Sequence, residues 1–133
     1  MQRFARLVTT FIVAMSVAVL TGLAGAAEEK TLKGSFLWTD SGKAGDLEAI
    51  FTPTGEGTWD VAFHFKWSGE QHVYSGKAEG SLSAGALKGK VQNEGKNRTF
   101  TFAGSFNEGQ FKGTHAELNG DKEHETGTLK LKS

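Results

Sequence analysis

Apolar and polar side chains alternate along most of the chain after residue 26, and this alternation limits what the chain can fold into. In the clearest stretch, from Trp59 to Trp67, every odd-numbered residue is large and apolar. Successive side chains of a β-strand point to opposite faces of its sheet, so a period of two predicts strands with one apolar face. No stretch of this region shows the sustained apolar period of an amphipathic helix. The sequence therefore predicts an all-β domain.

Short turns that contain glycine separate the predicted strands. Two-residue gaps such as Ser68-Gly69 and Glu108-Gly109 suit tight hairpins. Because the connections are short, each strand is expected to pair antiparallel with the next strand along the chain. The predicted strands are 31–39, 46–52, 58–67, 70–82, 86–93, 97–107, 110–118 and 122–132.

The expected register keeps apolar side chains on one side of the sheet. Facing residues of an antiparallel pair share a face, and the turn length determines which residues face each other. The predicted facing pairs are Phe65 with His72, Phe63 with Tyr74, Leu82 with Leu87, Gly80 with Gly89, Phe106 with Phe111, Gly104 with Gly113, and Phe51 with Trp59.

The turn between the last two strands has two candidate lengths. A two-residue turn places His115 opposite His124 and offers two imidazoles to one metal ion. A three-residue loop over 119–121 instead pairs Phe111 with Leu129 and turns the two histidines to opposite faces. The apolar pattern favours the longer loop, so no metal site is predicted.

A meander of eight strands removes its exposed edges when the sheet closes on itself. We therefore predict an eight-stranded antiparallel up-and-down barrel, with a two-layer β-sandwich as the alternative. Glycines at inward positions, such as Gly34 and Gly76, suit the curvature of a narrow barrel. The outward positions carry charged residues such as Lys66 and Lys77, whereas a membrane-spanning barrel is apolar outside. The outer face is thus expected to meet water, with no stable membrane insertion.

The first 26 residues differ from the rest of the chain. Arg3 and Arg6 form a basic head, Leu7 to Leu23 carries no charge, and small residues fill 24–27. These are the three parts of a secretory signal peptide, and an uncleaved membrane anchor is the alternative. We expect a signal peptide over 1–26, a single barrel domain over 27–133, and a secreted or periplasmic protein.

The charge pattern excludes a nucleic-acid partner, and the absence of cysteine excludes disulfides and thiolate sites. The whole chain has 15 basic and 15 acidic residues, and loss of Arg3 and Arg6 leaves the domain with a net charge of −2. The two signs are interspersed, so there is no basic face for a nucleic acid. The chain contains no cysteine, which excludes disulfides and thiolate metal or redox sites.

The aromatic interior is the candidate functional site. An eight-stranded barrel is just wide enough either to fill itself with side chains or to hold one small ligand. We expect a binding module for a small apolar or aromatic ligand; the alternative is a structural or interaction domain with a filled barrel. The candidate ligand-binding residues are Trp38, Trp59, Phe63, Phe65, Trp67, His72, Tyr74, Phe100, Phe102 and His115.

No motif of catalysis accompanies this interior. The chain lacks the G-x-S-x-G of a nucleophile elbow, the H-E-x-x-H of a zinc protease and a glycine-rich phosphate loop. The sequence therefore predicts neither an enzyme nor a cofactor nor a resident metal.

The eight-stranded meander with an aromatic interior resembles the calycin architecture of lipocalins and avidins. Gly57-Thr58-Trp59 matches the G-x-W that those families carry near their first strand, although here it opens the third predicted strand. The resemblance implies a calycin-like barrel and is one of architecture, which carries no function by itself.

Overall fold

A computed structural model describes residues 28–93, 95 and 97–133. The predicted signal peptide over 1–26 lies outside the described residues. The described part is built from β-strands joined by short connections. The strands are β1 (Lys30–Trp38), β2 (Lys43–Gly55), β3 (Thr58–Trp67), β4 (Glu70–Gly80), β5 (Gly85–Asn93), β6 (Arg98–Asn107), β7 (Gln110–Asn119) and β8 (Lys122–Lys132).

The eight strands form one closed antiparallel barrel in which each strand pairs with its neighbours along the chain. The last strand closes the sheet on the first, with facing pairs from Gly127–Trp38 to Lys132–Lys33. This pairing confirms the predicted barrel over the sandwich. Closure leaves no exposed edge for another chain to extend.

The predicted registers are confirmed at two hairpins and wrong at three others. Phe65 faces His72 across β3 and β4, and Phe106 faces Phe111 across β6 and β7, as predicted. The remaining pairs confirmed with them are Phe63 with Tyr74 and Gly104 with Gly113. These hairpins turn through two residues with positive φ, such as Ser68-Gly69, as the sequence indicates.

The β4–β5 and β2–β3 registers each differ from the prediction by two residues. Gly80 faces Leu87 because β4 ends there, at a φ of 129°, and leaves Leu82 in the connecting turn; Gly89 faces Ala78, not Gly80. Phe51 faces Val61 instead of Trp59, because β2 continues through a register shift between Pro53 and Gly55 and leaves only a two-residue connection at 56–57. A shift of two residues changes the partner of a side chain but not its face. The residues that remain paired in these strands therefore point to the predicted side of the sheet.

Both registers considered for the last hairpin are wrong. The turn is Gly120-Asp121, and His124 faces Glu117. An irregularity between Glu125 and Gly127 then shifts the register by one further residue, so that Phe111 faces Leu131 rather than Leu129. The bulge adds one residue to β8 and thereby returns its apolar residues to the inside.

Strand bounds differ from the prediction by more than one residue at both ends of β2 and at the end of β4. Strand β2 begins at Lys43 instead of residue 46, because Lys43 and Gly45 pair with the end of β1. Strand β4 stops at Gly80 instead of residue 82, where Ser81 accepts hydrogen bonds from the backbone N–H groups of Ser83 and Ala84. The hydroxyl thus caps a turn where the apolar pattern alone indicates strand.

The two ends of the barrel differ in their packing. We call closed end the one that carries the β2–β3, β4–β5 and β6–β7 connections, and open end the one that carries the β1–β2, β3–β4, β5–β6 and β7–β8 connections. Aliphatic and phenyl side chains fill the closed end with almost no exposure. The largest fully buried side chains are Phe51, Phe111, Leu32, Leu87 and Leu131.

Glycines let the backbones of neighbouring strands approach closely. A Cβ atom on Gly34 would overlap the carbonyl oxygen of Lys130, and one on Gly76 would overlap that of Lys90. No other residue fits these positions without movement of the backbone, which accounts for glycines at inward positions of strands.

Candidate functional site at the open end

Aromatic rings form the wall of the open end. Phe36 and Phe65 meet edge to face with ring centroids 5.1 Å apart, and Trp38 meets Phe100 in the same way at 5.7 Å. The Trp38 and Trp67 rings lie 6.3 Å apart in a tilted contact. Tilted and edge-to-face contacts of this kind are favourable arrangements for aromatic pairs. The rings therefore support one another without filling the space between them.

The tryptophans reach the mouth because each is the final residue of a strand. Trp38 ends β1 and Trp67 ends β3, both on the inward face. Both side chains remain partly exposed and pack against the core from its edge. A large apolar ring that meets both solvent and a concave interior is a suitable contact for a ligand.

Stacked rings from β4 continue the wall inward. His72 lies nearly parallel to Phe65 with centroids 5.4 Å apart, and Tyr74 lies nearly parallel to the same ring at 5.6 Å. Tyr74 then meets Phe100 edge to face at 5.5 Å. The polar tips of His72 and Tyr74 thus belong to a surface that is otherwise apolar.

A cavity of about 70 Å³ lies beneath these rings. Its inner limit is the pair Phe63 and Phe102, which are buried and meet edge to face at 5.1 Å. An engineered cavity of about 150 Å³ in another protein binds benzene, so this space takes part of one ring. The cavity is lined by Phe36, Trp38, Leu47, Phe63, Phe65, Tyr74, Val91, Phe100, Thr101, Phe102, His115 and Leu129.

His115 is buried in the wall with both ring nitrogens engaged. Its Nε2 lies 3.0 Å from the carbonyl oxygen of Leu37, and its Nδ1 lies 2.6 Å from Thr126 Oγ1. A carbonyl only accepts, so Nε2 carries a hydrogen, and Nδ1 of the neutral ring accepts from the Thr126 hydroxyl. The imidazole therefore presents its ring, not a free nitrogen, to the cavity.

Burial lowers the pKa of His115, and its hydrogen bond to the Leu37 carbonyl opposes this effect. Removal from water disfavours the charged imidazolium. The Thr126 hydroxyl also lies 3.1 Å from the backbone oxygen of His115, to which it can donate instead. Thr126, at the bulge in β8, thus places its hydroxyl within hydrogen-bond distance of both Nδ1 and the backbone oxygen of His115.

An ion pair joins the neighbouring strands β6 and β7 at the open end. Arg98 donates from Nε to Glu117 Oε2 at 2.9 Å and from an Nη to Oε1 at 3.0 Å. The guanidinium carbon lies 5.1 Å from the Phe100 ring centroid and 5.9 Å from that of Trp38. The hydrogen bond to Arg98 lowers the pKa of Glu117, and the same bond raises the pKa of Arg98. Both groups are therefore charged over the rings at neutral pH.

Most of the sequence-predicted residues come together here, and Trp59 does not. Trp59 begins the inward face of β3 at the closed end, where its Nε1 donates to the carbonyl oxygen of Gly80 at 3.1 Å. Among the rings and charged groups at this end, Phe36, Arg98 and Glu117 are not among the sequence-predicted residues. The alternation of β6 places Arg98 on the same face as Phe100, which is the sequence signal that identifies it.

A larger depression of about 730 Å³ lies on the outer wall and is lined by residues of β2 to β8. Lys88 and Lys90 border one side and Glu123 and Glu125 the other. Thr101 in its floor donates a hydrogen bond to Glu123 at 2.5 Å. Its charged side chains are exposed to water, so it lacks the enclosed apolar wall of a small-molecule site.

The described residues contain no cluster of three or more His, Cys, Asp or Glu side chains placed to hold a metal ion. His124, exposed at the rim, faces Glu117, whereas His115 is turned into the wall. Nor does this part of the chain include a helix of the length and hydropathy needed to cross a bilayer.

Comparison with known proteins identifies no relative. No protein-family model, no curated protein and no solved structure matches the chain.

Proposed function

We propose that this protein is an exported, non-enzymatic binding protein that holds a small aromatic or apolar ligand in the open end of its barrel. The observation that supports this function is the difference between the two ends. One end is filled, and the other retains a cavity walled by rings that are partly exposed. Concave, mostly apolar sites with a few polar groups are the usual form of small-molecule sites.

The dimensions indicate a small, flat ligand. The cavity takes part of one aromatic ring, so the remainder of the ligand would lie against the exposed parts of Trp38 and Trp67 at the mouth, whose rings contact each other. Such a ligand meets mainly ring faces and edges, with the polar tips of His72 and Tyr74 beside it. A long-chain lipid does not fit this space without a rearrangement of Phe63 and Phe102.

The small size of the cavity also supports a second candidate function. Drug-sized ligands occupy pockets of about 300–1,000 Å³, several times the volume of this cavity. A barrel that is filled apart from this space suits a structural or interaction domain with no small ligand. The two functions differ in whether an aromatic molecule binds at the open end.

A calorimetric titration with phenylacetamide, a neutral single-ring compound, separates the two functions. The first function predicts saturable binding of one molecule per chain. Trp67→Leu is expected to weaken binding about tenfold, because removal of one stacked or edge-to-face ring contact and its buried area costs roughly 1–1.5 kcal/mol.

Trp59→Leu is the matched control, since Trp59 lies at the closed end. It is expected to leave the affinity within about twofold of wild type, a change smaller than one aromatic contact produces. Absence of binding by the wild type, or equal losses in the two variants, would contradict the proposed site.

A further inference from the structure

The ion pair of Arg98 and Glu117 places a guanidinium over the aromatic wall of the open end. We propose that its ligand is an aromatic or apolar acid whose carboxylate, or a similar anionic group, binds the guanidinium of Arg98. This inference rests on the proposed function and names the class of ligand. It follows from the position of Arg98, from the way Glu117 holds it, and from the rings beneath it.

Arg98 lies where the polar end of a bound ring would emerge. Its guanidinium carbon is 5.1 Å from the centroid of Phe100 and 5.9 Å from that of Trp38. Both rings line the cavity. A ring inserted among them would therefore have its substituent within reach of Arg98, a short distance above the cavity.

Glu117 orients the guanidinium and engages only one of its edges. The two hydrogen bonds use Nε and one Nη, so the edge formed by the two Nη atoms points elsewhere. Arginine binds carboxylates through two parallel N–H donors, and its planar group can serve more than one acceptor. The fork with Glu117 thus fixes the plane in which a second carboxylate can bind.

Arg98 disfavours a positively charged ligand at the aromatic wall. Aromatic faces attract cations, but Arg98 already occupies the position over Phe100 and Trp38. A ligand cation would meet this guanidinium at close range. Arg98 also remains 43% exposed, whereas Glu117 is 24% exposed, so solvent and an incoming anion have the freer access to the arginine.

Three probes of one size test this proposal: phenylacetate, phenylacetamide and 2-phenylethylammonium. They share a ring and a two-atom chain and differ in charge. By calorimetric titration at low salt, phenylacetate is expected to bind about tenfold more tightly than the amide, the lower limit for a hydrogen bond between charged groups. The ammonium compound is expected to bind most weakly.

Variants at the ion pair assign the difference to Arg98. Arg98→Gln is expected to reduce the ratio of phenylacetate to phenylacetamide affinity to about one, and Glu117→Gln to maintain or increase it, since a competing carboxylate is removed. Lys66→Gln removes an exposed positive charge from the outer face at the same end and is expected to keep the ratio within about twofold, as for other screened surface charges.

The outcomes separate the two proposals. Equal binding of phenylacetate and phenylacetamide by the wild type would overturn the acid specificity and leave the proposed function intact. A ratio that persists in Arg98→Gln would likewise overturn the role of Arg98. Failure of all three probes to bind would contradict the proposed function itself. Melting temperatures of the variants identify any that fail to fold.

Discussion

The two ends of this barrel are built by the same alternation of side chains and yet differ in what they enclose. At the closed end, phenyl rings such as Phe51 and Phe111 pack among leucines and are fully buried. At the open end, Trp38 and Trp67 pack mainly on other rings and stay partly exposed. The closed end combines phenyl rings with leucines, whereas aromatic side chains predominate around the cavity. One inward face thus has a filled region and a region that retains space.

The largest expected difference between the ends is in stability. Phe111→Ala at the closed end removes a fully buried ring and is expected to reduce the free energy of unfolding by about 3–5 kcal/mol. Trp67→Ala at the open end removes a larger but partly exposed ring, and less than half that loss is expected. Urea denaturation of the two variants measures both values, and equal losses would remove the distinction between the ends.

The middle of the barrel should behave as a boundary. Phe63 and Phe102 are buried but face the cavity on one side, so each ring already lacks some packing partners. Phe63→Ala and Phe102→Ala are each expected to cost close to the lower limit for such changes, about 3 kcal/mol. Unfolding in urea, with Phe111→Ala in the same series, tests this order. Losses that exceed that of Phe111→Ala would indicate a filled core at this level.

The open end should also give stability a dependence on pH. Burial lowers the pKa of His115 in the folded state, so the unfolded chain binds the proton more readily. The stabilisation is complete above the unfolded value of about 6.5 and is lost as the pH falls toward the folded pKa. The slope in that window is at most about 1.4 kcal/mol per pH unit.

His115→Phe is expected to remove this slope, measured as the difference between wild-type and variant unfolding in urea from pH 7.5 downwards. The lowered pKa of Glu117 acts in a separate window. Its contribution to stability is lost only as the pH falls below the ordinary carboxyl value of about 4.3. A wild-type slope that persists in His115→Phe would show that another group titrates.

The smallest expected effect is that of the ion pair at the mouth. Arg98 and Glu117 are partly exposed, and such pairs contribute about 0.2–1 kcal/mol to stability. A double-mutant cycle of Arg98→Gln and Glu117→Gln should give a coupling energy near 0.5 kcal/mol that declines with added salt. A coupling energy above about 2 kcal/mol would mean that the pair holds the open end together.

The sequence predicts the barrel and its inward face because both depend only on the alternation of side chains between the two faces of each strand. A register error of two residues, as at Phe51 and at Leu87, changes the partner of a side chain but not its face. The register errors occur at hairpins that contain a bulge or a connection longer than two residues. The Ser81 hydroxyl that caps one connection and the bulge before Gly127 are local hydrogen-bonding features that the apolar pattern does not contain.

The candidate site is predictable only in part, because its shape depends on three-dimensional packing. Alternation places Phe65, Phe100 and Arg98 inside the barrel. Whether rings leave a cavity between them depends on their angles, and whether Arg98 lies over them depends on its fork with Glu117. Neither follows from the spacing of residues along the chain.

The most direct test of the account uses the three tryptophans as reporters of the two ends. In ¹⁵N-labelled protein, each indole N–H gives its own NMR signal, assigned with single Trp→Phe variants. On titration with phenylacetamide, the Trp38 and Trp67 signals should shift together and saturate at one dissociation constant. The Trp59 signal, whose N–H is bonded to Gly80 at the closed end, should stay in place. Shifts of equal size at all three tryptophans, or none at the open end up to the solubility limit of the compound, would contradict a binding site at the open end.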